Sequence, residues 1–306
     1  MKGFYSMLRV LSAIGMSRYT DQQSIDRFIS KQLMEGHLRA QHYMKDGKVH
    51  VEMYKDMGPF QLIMRGVLEP DHYIRIGMIC PAIKEKRGYE MLECEVHEDD
   101  NDDIYIFGQE KSTLEGICFR VTEVNRFYKD KNLMDIQRAF ASCYGLSFEG
   151  KVLLGIDRSE DDVAAIEEVE SRRRGLLRRA MEGDENAIHQ IQKDDDMTEQ
   201  EIEDRLRQED VYSIFDGFLY PAEGASDNYY TVLGDIVYMN KLMNFETEEW
   251  CYYLDLNVLG QILRVCINPR DLLGKPMVGC RFMGKVSFFG RIDPARQILE
   301  DPRGFY

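Results

Sequence analysis

The chain has 306 residues, room for about two domains, and 44% of them are hydrophobic, enough for real cores. Its 54 Asp and Glu against 39 Lys and Arg give a net charge of −15. A charge of that size repels polyanions at long range, which excludes non-specific binding of nucleic acid or anionic membrane by the chain as a whole.

At the start, Phe4, Leu8, Leu11 and Ile14 recur at helical spacing, which predicts an amphipathic helix docked on the domain. The apolar stretch from Met7 to Ile14 is too short for a signal peptide and carries Arg9. No stretch reaches the ~20 apolar residues of a membrane span. Thr20-Asp21 offers an N-cap, and Ile25, Phe28, Ile29 and Leu33 form a helical stripe. Residues 1 to about 46 therefore read as mostly helical.

From Val49 to Tyr128 the period shortens to that of strands, at 61–64, 73–78, 89–96, 104–107 and 116–124. A helix over 132–143 and a strand over 151–156 complete the reading of an α+β domain at 1–157. Residues 158–210 switch to charged helices, with capping-box patterns at Ser159 and Thr198, and read as a helical connector. No residue register repeats along the chain.

The C-terminal segment, 211–306, breaks into about five short apolar runs. Trp250, Tyr252, Leu254, Leu256 and Val258 alternate with Cys251, Tyr253, Asp255 and Asn257, the period of a half-buried strand. The succession predicts an OB-like antiparallel β-barrel, and the fold class α+β overall. Such barrels are binding scaffolds more often than catalytic ones. From Asp227 onward there are ten acids and nine bases, so this is the part that could approach a polyanion.

Candidate chemistry is sparse. Asp99, Asn101, Asp103 and Glu110 stand at calcium-loop positions one, three, five and twelve, but Ile104 replaces the glycine that the sixth position needs, so a solvated hairpin turn is expected. Gly108 to Thr113 lacks the frame of a phosphate loop. The six histidines show no metal-binding spacing, and no GxSxG elbow occurs. The seven cysteines include no CxxC pair, which favours reduced thiols and a cytoplasmic protein over a disulfide framework or zinc site. Arg172-Arg173-Arg174 has acids within one turn and reads as a solvated, ion-paired face. No cofactor, metal or catalytic residue is expected.

One constellation stands out. If the barrel strands neighbour one another, Arg264, Arg281, Lys285 and Arg291 form a basic stripe holding Phe289. That is how OB folds grip single strands, although such residues also populate any solvated sheet face. The first expectation is a non-enzymatic binding protein with a protein partner, favoured by the acidic charge. The second is a single-stranded nucleic-acid factor acting through the barrel alone. The third is an enzyme with an inter-domain cleft site. No membrane partner is expected.

Several stretches also carry a family likeness. They are Leu11 to Ser17, Glu149 to Leu154, Glu182 to Ile188, Val232 to Ile236, Val265 to Asn268 and Asp271 to Gly284. On these the chain resembles the uncharacterised bacterial family catalogued as domain of unknown function 3881. The resemblance implies no activity, cofactor or catalytic residue, and fits a cytoplasmic bacterial protein.

The alternation at 250–258 requires Leu254 to be core. Leu254→Ala is expected to cost ~2–5 kcal/mol in chemical denaturation, whereas a change under about 0.5 kcal/mol, the scale of a surface substitution, is incompatible with that placement.

Overall fold

The computed structural model describes residues 8–36, 38–84, 88–110, 116–129, 133, 136, 138–155, 168, 171–173, 175–180, 183–191, 193, 217–221 and 228–294. Among these the fold is mixed α+β and mostly strand. Leu8, Leu11 and Ile14 are buried, as a docked first turn requires. Helix α1 (Gln22–Glu35) follows, and its N-cap Asp21 accepts the Ser24 N–H while the Ser24 hydroxyl reciprocates. Ile25, Phe28 and Ile29 are its buried stripe.

Helix gives way to strand earlier than the sequence pattern suggests. β1 (Arg39–Lys45), β2 (Lys48–Met57), β3 (Phe60–Leu68) and β4 (Ile74–Ile83) form a four-stranded antiparallel meander. The second sheet contains β5 (Tyr89–Glu98), β6 (Ile104–Glu110), β7 (Gly116–Val121), β8 (Arg138–Leu153), β9 (Phe218–Pro221), β10 (Tyr229–Met243), β11 (Trp250–Val258), β12 (Gln261–Ile267), β13 (Leu272–Leu273) and β14 (Arg281–Pro294). A short helix α2 (Asn125–Lys129) joins β7 to β8.

The predicted helix at 132–143 is overturned over 138–143, while 132, 134, 135 and 137 lie outside the described residues. Its second half opens β8, which runs unbroken through the predicted strand at 151–156 as far as Leu153. The segment alternates between two buried surfaces, so its apolar residues come too often to distinguish helix from strand by period. The connector 158–210 lies largely outside the described residues. Those described at 171–173, 175–180 and 185–191 are helical.

Strand pairing repeats where residue identity does not. β5, β6 and β7 form a meander, β7 runs parallel to β14, β14 pairs antiparallel with β8, and β8 pairs with β5. Likewise β10, β11 and β12 form a meander, β12 runs parallel to β8, β8 pairs with β14, and β14 pairs with β10. Each set is a closed ring of five strands. The β8–β14 ladder, from Arg281↔Leu153 to Pro294↔Ala139, belongs to both. Both opening strands carry a bulge, between Leu92 and Glu95 in β5 and between Ile236 and Tyr238 in β10. Each half of the chain thus lends one strand to the other half's ring. The C-terminal segment closes its ring only with β8 from before the connector.

The ring interiors form one apolar core, including Ile106, Phe119, Cys143, Leu256, Val265 and Phe288. Gly145 sits where β12, β8 and β14 converge. A Cβ there would collide with Val286 and press on Phe288 and Val265. A second core joins the four-stranded sheet and α1 to the outside of the ring strands, through Phe28, Ile63, Tyr144, Tyr253, Cys266 and Phe289. The strand at 250–258 is therefore buried on both faces, with Leu254 and Leu256 in the first core and Cys251 and Tyr253 in the second. Trp250, expected on the inner face, is half exposed at the strand's end.

The turn at 244–249 ties the N-terminal segment to the C-terminal half. The Asn244 amide donates to the Ile14 carbonyl at 2.7 Å, the Thr247 hydroxyl to Gly15, and Arg18 to the Thr247 carbonyl.

Because each ring borrows a strand, residues 1–155 and 217–306 expressed separately are expected to be insoluble or to melt without cooperativity. Co-expressed, they should co-purify and regain one cooperative transition. Cooperative melting of either piece alone would contradict the shared ladder.

Candidate functional site

A cleft of about 550 Å³ opens between the two sheets, within the size range of small-molecule sites. β3 and β4 supply one wall through Arg65, Val67, Gly77 and Met78. β6, β7 and the turn at 99–103 supply the other through Tyr105, Arg120 and Asp103.

Alternation along β6 and β7 explains the second wall. Ile104 and Ile106, like Ile117, Phe119 and Val121, are buried in the ring core. The intervening Tyr105 and Arg120 are direct cross-strand partners and line the cleft. The turn is shaped by Asp99, whose Oδ1 accepts the N–H groups of Asn101 and Asp103, each at 2.9 Å. Asp102 takes a left-handed φ of 62°. This geometry turns Asp103 towards the floor.

There, four buried charges balance. Glu52 is 0% exposed. Arg65 donates from Nε to Glu52 at 3.0 Å and from Nη1 to Asp103 at 2.9 Å, and its Nη2 serves the carbonyls of Val121 and Thr122. Arg120 reaches the other Asp103 oxygen at 2.5 Å. Glu52 also accepts from the Tyr54 hydroxyl at 2.8 Å, the Val124 N–H at 3.0 Å and the Asn125 side chain. Burial alone would loosen Arg65's proton, but Glu52 first and Asp103 after it outweigh burial and hold the guanidinium charged.

At the rim, Tyr43 stands opposite His50 across β1 and β2. Its ring is stacked between His50, at 5.2 Å, and Tyr128, at 4.7 Å. Lys45 bonds Glu98, Asp102 and Tyr128. Burial opposes its charge, but these bonds prevail and raise its pKa. Burial lowers that of His50 from its ordinary 6.5.

The sequence-predicted stripe is distributed differently. β12 and β14 lie on opposite sides of β8 rather than side by side. Arg264 is largely buried and faces Asp255 at 3.7 Å. Arg281 is 1% exposed and faces Asp235 at 3.6 Å. Lys285 is exposed and pairs with Glu149 at 3.2 Å. Arg291 is half-buried. Phe289 is 1% exposed, in the core between the sheets and at the base of the cleft. No single open face presents all five.

Of the residues at calcium-loop positions, Asp103 is committed to two arginines and Asp99 to the backbone N–H groups of the hairpin turn. Among the described residues no three His, Cys, Asp or Glu side chains are grouped to hold a metal ion. Sequence reasoning passed over Glu52, Arg65 and Arg120. Their signal is a lone charge inside an apolar strand, in Val-Glu-Met-Tyr, Ile-Met-Arg-Gly and Cys-Phe-Arg-Val, which requires a buried partner of opposite sign.

The fold and the cleft together define a two-layer, β-rich protein with a pocket of mixed polar and apolar lining between its layers. Residues 11–290 match the family model described as Domain of unknown function, E. rectale Gene description (DUF3881), and the chain belongs to that family. No curated protein and no solved structure matches it. Among the described residues no helix is long and apolar enough to cross a membrane.

Removing one member of the charge network strands another in a buried place. Arg65→Met is expected to cost about 3–5 kcal/mol in urea denaturation, and Arg65→Met with Glu52→Gln less than Arg65→Met alone. Equal losses in the two variants would deny the coupling.

Proposed function

We propose that this protein is a non-enzymatic binding protein whose ligand occupies the cleft between the two sheets. The observation that carries this reading is the internally neutral Glu52–Arg65–Asp103–Arg120 network at the cleft floor. Buried ion networks contribute little to stability compared with apolar packing of the same volume, so a binding role accounts for one whose Arg65, Asp103 and Arg120 line a cavity. Both Asp103 oxygens face guanidinium groups, which fixes the orientation of this carboxylate as a hydrogen-bond acceptor.

The finer fold reading, that each ring is an OB-like barrel, supports the same site. Each ring has five strands and a single parallel contact, and its register returns about ten residues out of step, as closure with tilted strands requires. OB folds bind on the face of strands two and three and at the loop joining strands one and two. In the β5-containing ring those are β6, β7 and the turn at 99–103, which line the cleft. The corresponding β11–β12 face of the other ring is covered, since Cys251 and Asn268 both reach the Ser12 carbonyl. A cytoplasmic setting accords with seven cysteines, all free thiols.

A protein partner is a second reading, favoured by one patch. Leu154, Leu273, Met277 and Val278 are each more than half exposed near the end of β8, and contiguous exposed apolar surface marks interaction sites.

Gly77 is the bulged residue of β4, opposite the step from Arg65 to Gly66, and a Cβ added there meets nothing within 4 Å. Gly77→Phe should therefore fill the cleft without disturbing the fold. The full chain incubated with a bacterial small-molecule extract is expected to melt at higher temperature and to retain a compound after desalting. Gly77→Phe, with an unchanged circular-dichroism spectrum, should do neither. An identical response from both proteins would remove the cleft from consideration.

A further inference from the structure

The chemical class of the ligand is written in the groups the cleft leaves open. Tyr43 and Tyr105 are 5% and 8% exposed and line the cleft. Among the described residues neither hydroxyl has a hydrogen-bond partner. Burial pushes the Tyr43 hydroxyl up to about 12 and raises that of Tyr105 as well, so both are neutral and can donate and accept. Arg120 keeps its Nε donor without an acceptor among the described residues. A buried donor left unsatisfied, as this Nε is, costs stability unless something meets it.

Two ligand classes fit poorly. The charges lining the cleft cancel, Arg65, Arg75 and Arg120 against Asp99, Asp102 and Asp103, so a charged ligand would bring an unbalanced charge into a partly closed space. A planar base needs an aromatic face to stack upon. Of the aromatic rings lining the cleft, Tyr43 is stacked with His50 and Tyr128, Tyr229 packs against Phe148, and Tyr105 and Phe289 are buried. What remains is a set of hydroxyl, guanidinium and carboxylate groups around a neutral space. Gly77 leaves room on the opposite wall, as glycine in a strand often does where a ligand comes close.

We propose that the cleft binds a neutral polyhydroxylated ligand, a sugar or sugar-like polyol, whose hydroxyl groups are met by Tyr43, Tyr105, Arg120 and Asp103. This rests on the cleft being the ligand site. Alternating donors and acceptors on such a molecule match neutral phenols and paired ions, each of which bonds a hydroxyl without changing its own charge.

Saturation-transfer NMR on the full chain tests it with separate probes. Glucose, N-acetylglucosamine, maltose and cellobiose represent neutral saccharides, adenosine a neutral planar base, and glucuronate and inorganic phosphate anions. Transfer to at least one neutral saccharide is expected, with no transfer to adenosine or the anions. Tyr105→Phe and Tyr43→Phe should each weaken that saccharide by about threefold to tenfold, the worth of one hydrogen bond. Gly77→Phe should abolish its binding. Circular dichroism identifies any variant that fails to fold, and the other tyrosine variant then decides. Four silent saccharides, or binding of adenosine or an anion alone, would overturn the proposal. If the saccharides are silent while Gly77→Phe still abolishes retention of an extract compound, the ligand class falls and the cleft stands. If Gly77→Phe changes nothing in either assay, both fall.

Discussion

The β8–β14 ladder is the constraint on which the rest of the molecule depends. Fourteen residues of β14 pair with β8 across the middle of the larger sheet, and each strand then serves as the closing strand of the other half's ring. Backbone N–H and C=O groups buried in a protein interior must be paired. Neither meander meets that requirement without the borrowed strand, because β7 would lose its parallel partner β14 and β12 its parallel partner β8. The halves are thus joined by main-chain hydrogen bonding as well as by shared apolar cores, although the connector and its neighbours separate them by some sixty residues in sequence.

With the rings fixed, the outer faces of their strands have to be covered. The four-stranded sheet and α1 do this on one side, burying Tyr144, Tyr253, Cys266 and Phe289 in a second apolar core. The cover is incomplete where β6 and β7 turn towards β3 and β4. Apolar contact there is replaced by the Glu52–Arg65–Asp103–Arg120 network and by Tyr43 and Tyr105. The two layers come together through ions and hydroxyl groups, whose geometry is directional, and the cleft is the space their spacing leaves. The equivalent face of the other ring has no such gap, since the segment at 12–18 lies against β11 and the turn at 244–249. A nearly symmetric scaffold is thereby left with an open site in one of its rings.

The sequence by itself determined the local features. Asp21 as a cap, the α1 stripe, the strands from 61 to 121 and the alternation at 250–258 are short-range patterns, set by 3.6- and 2-residue periods and by side-chain capping. It also carried the family likeness at 149–154 and 265–284, confirmed over residues 11–290. Tertiary structure decided the rest. β8 is a strand because two cores claim its two faces, a circumstance invisible in a run of apolar residues at 138–150. Arg281 and Phe289 are buried because another layer lies over them. Glu52 and Arg65 could be seen as misplaced charges, but Arg65 not as the partner of Asp103, since pairing across 38 residues follows from which sheets stack. A periodic pattern records how a segment meets its immediate surroundings, whereas a site assembled from strands of both sheets and a turn exists only once long-range strand order is fixed.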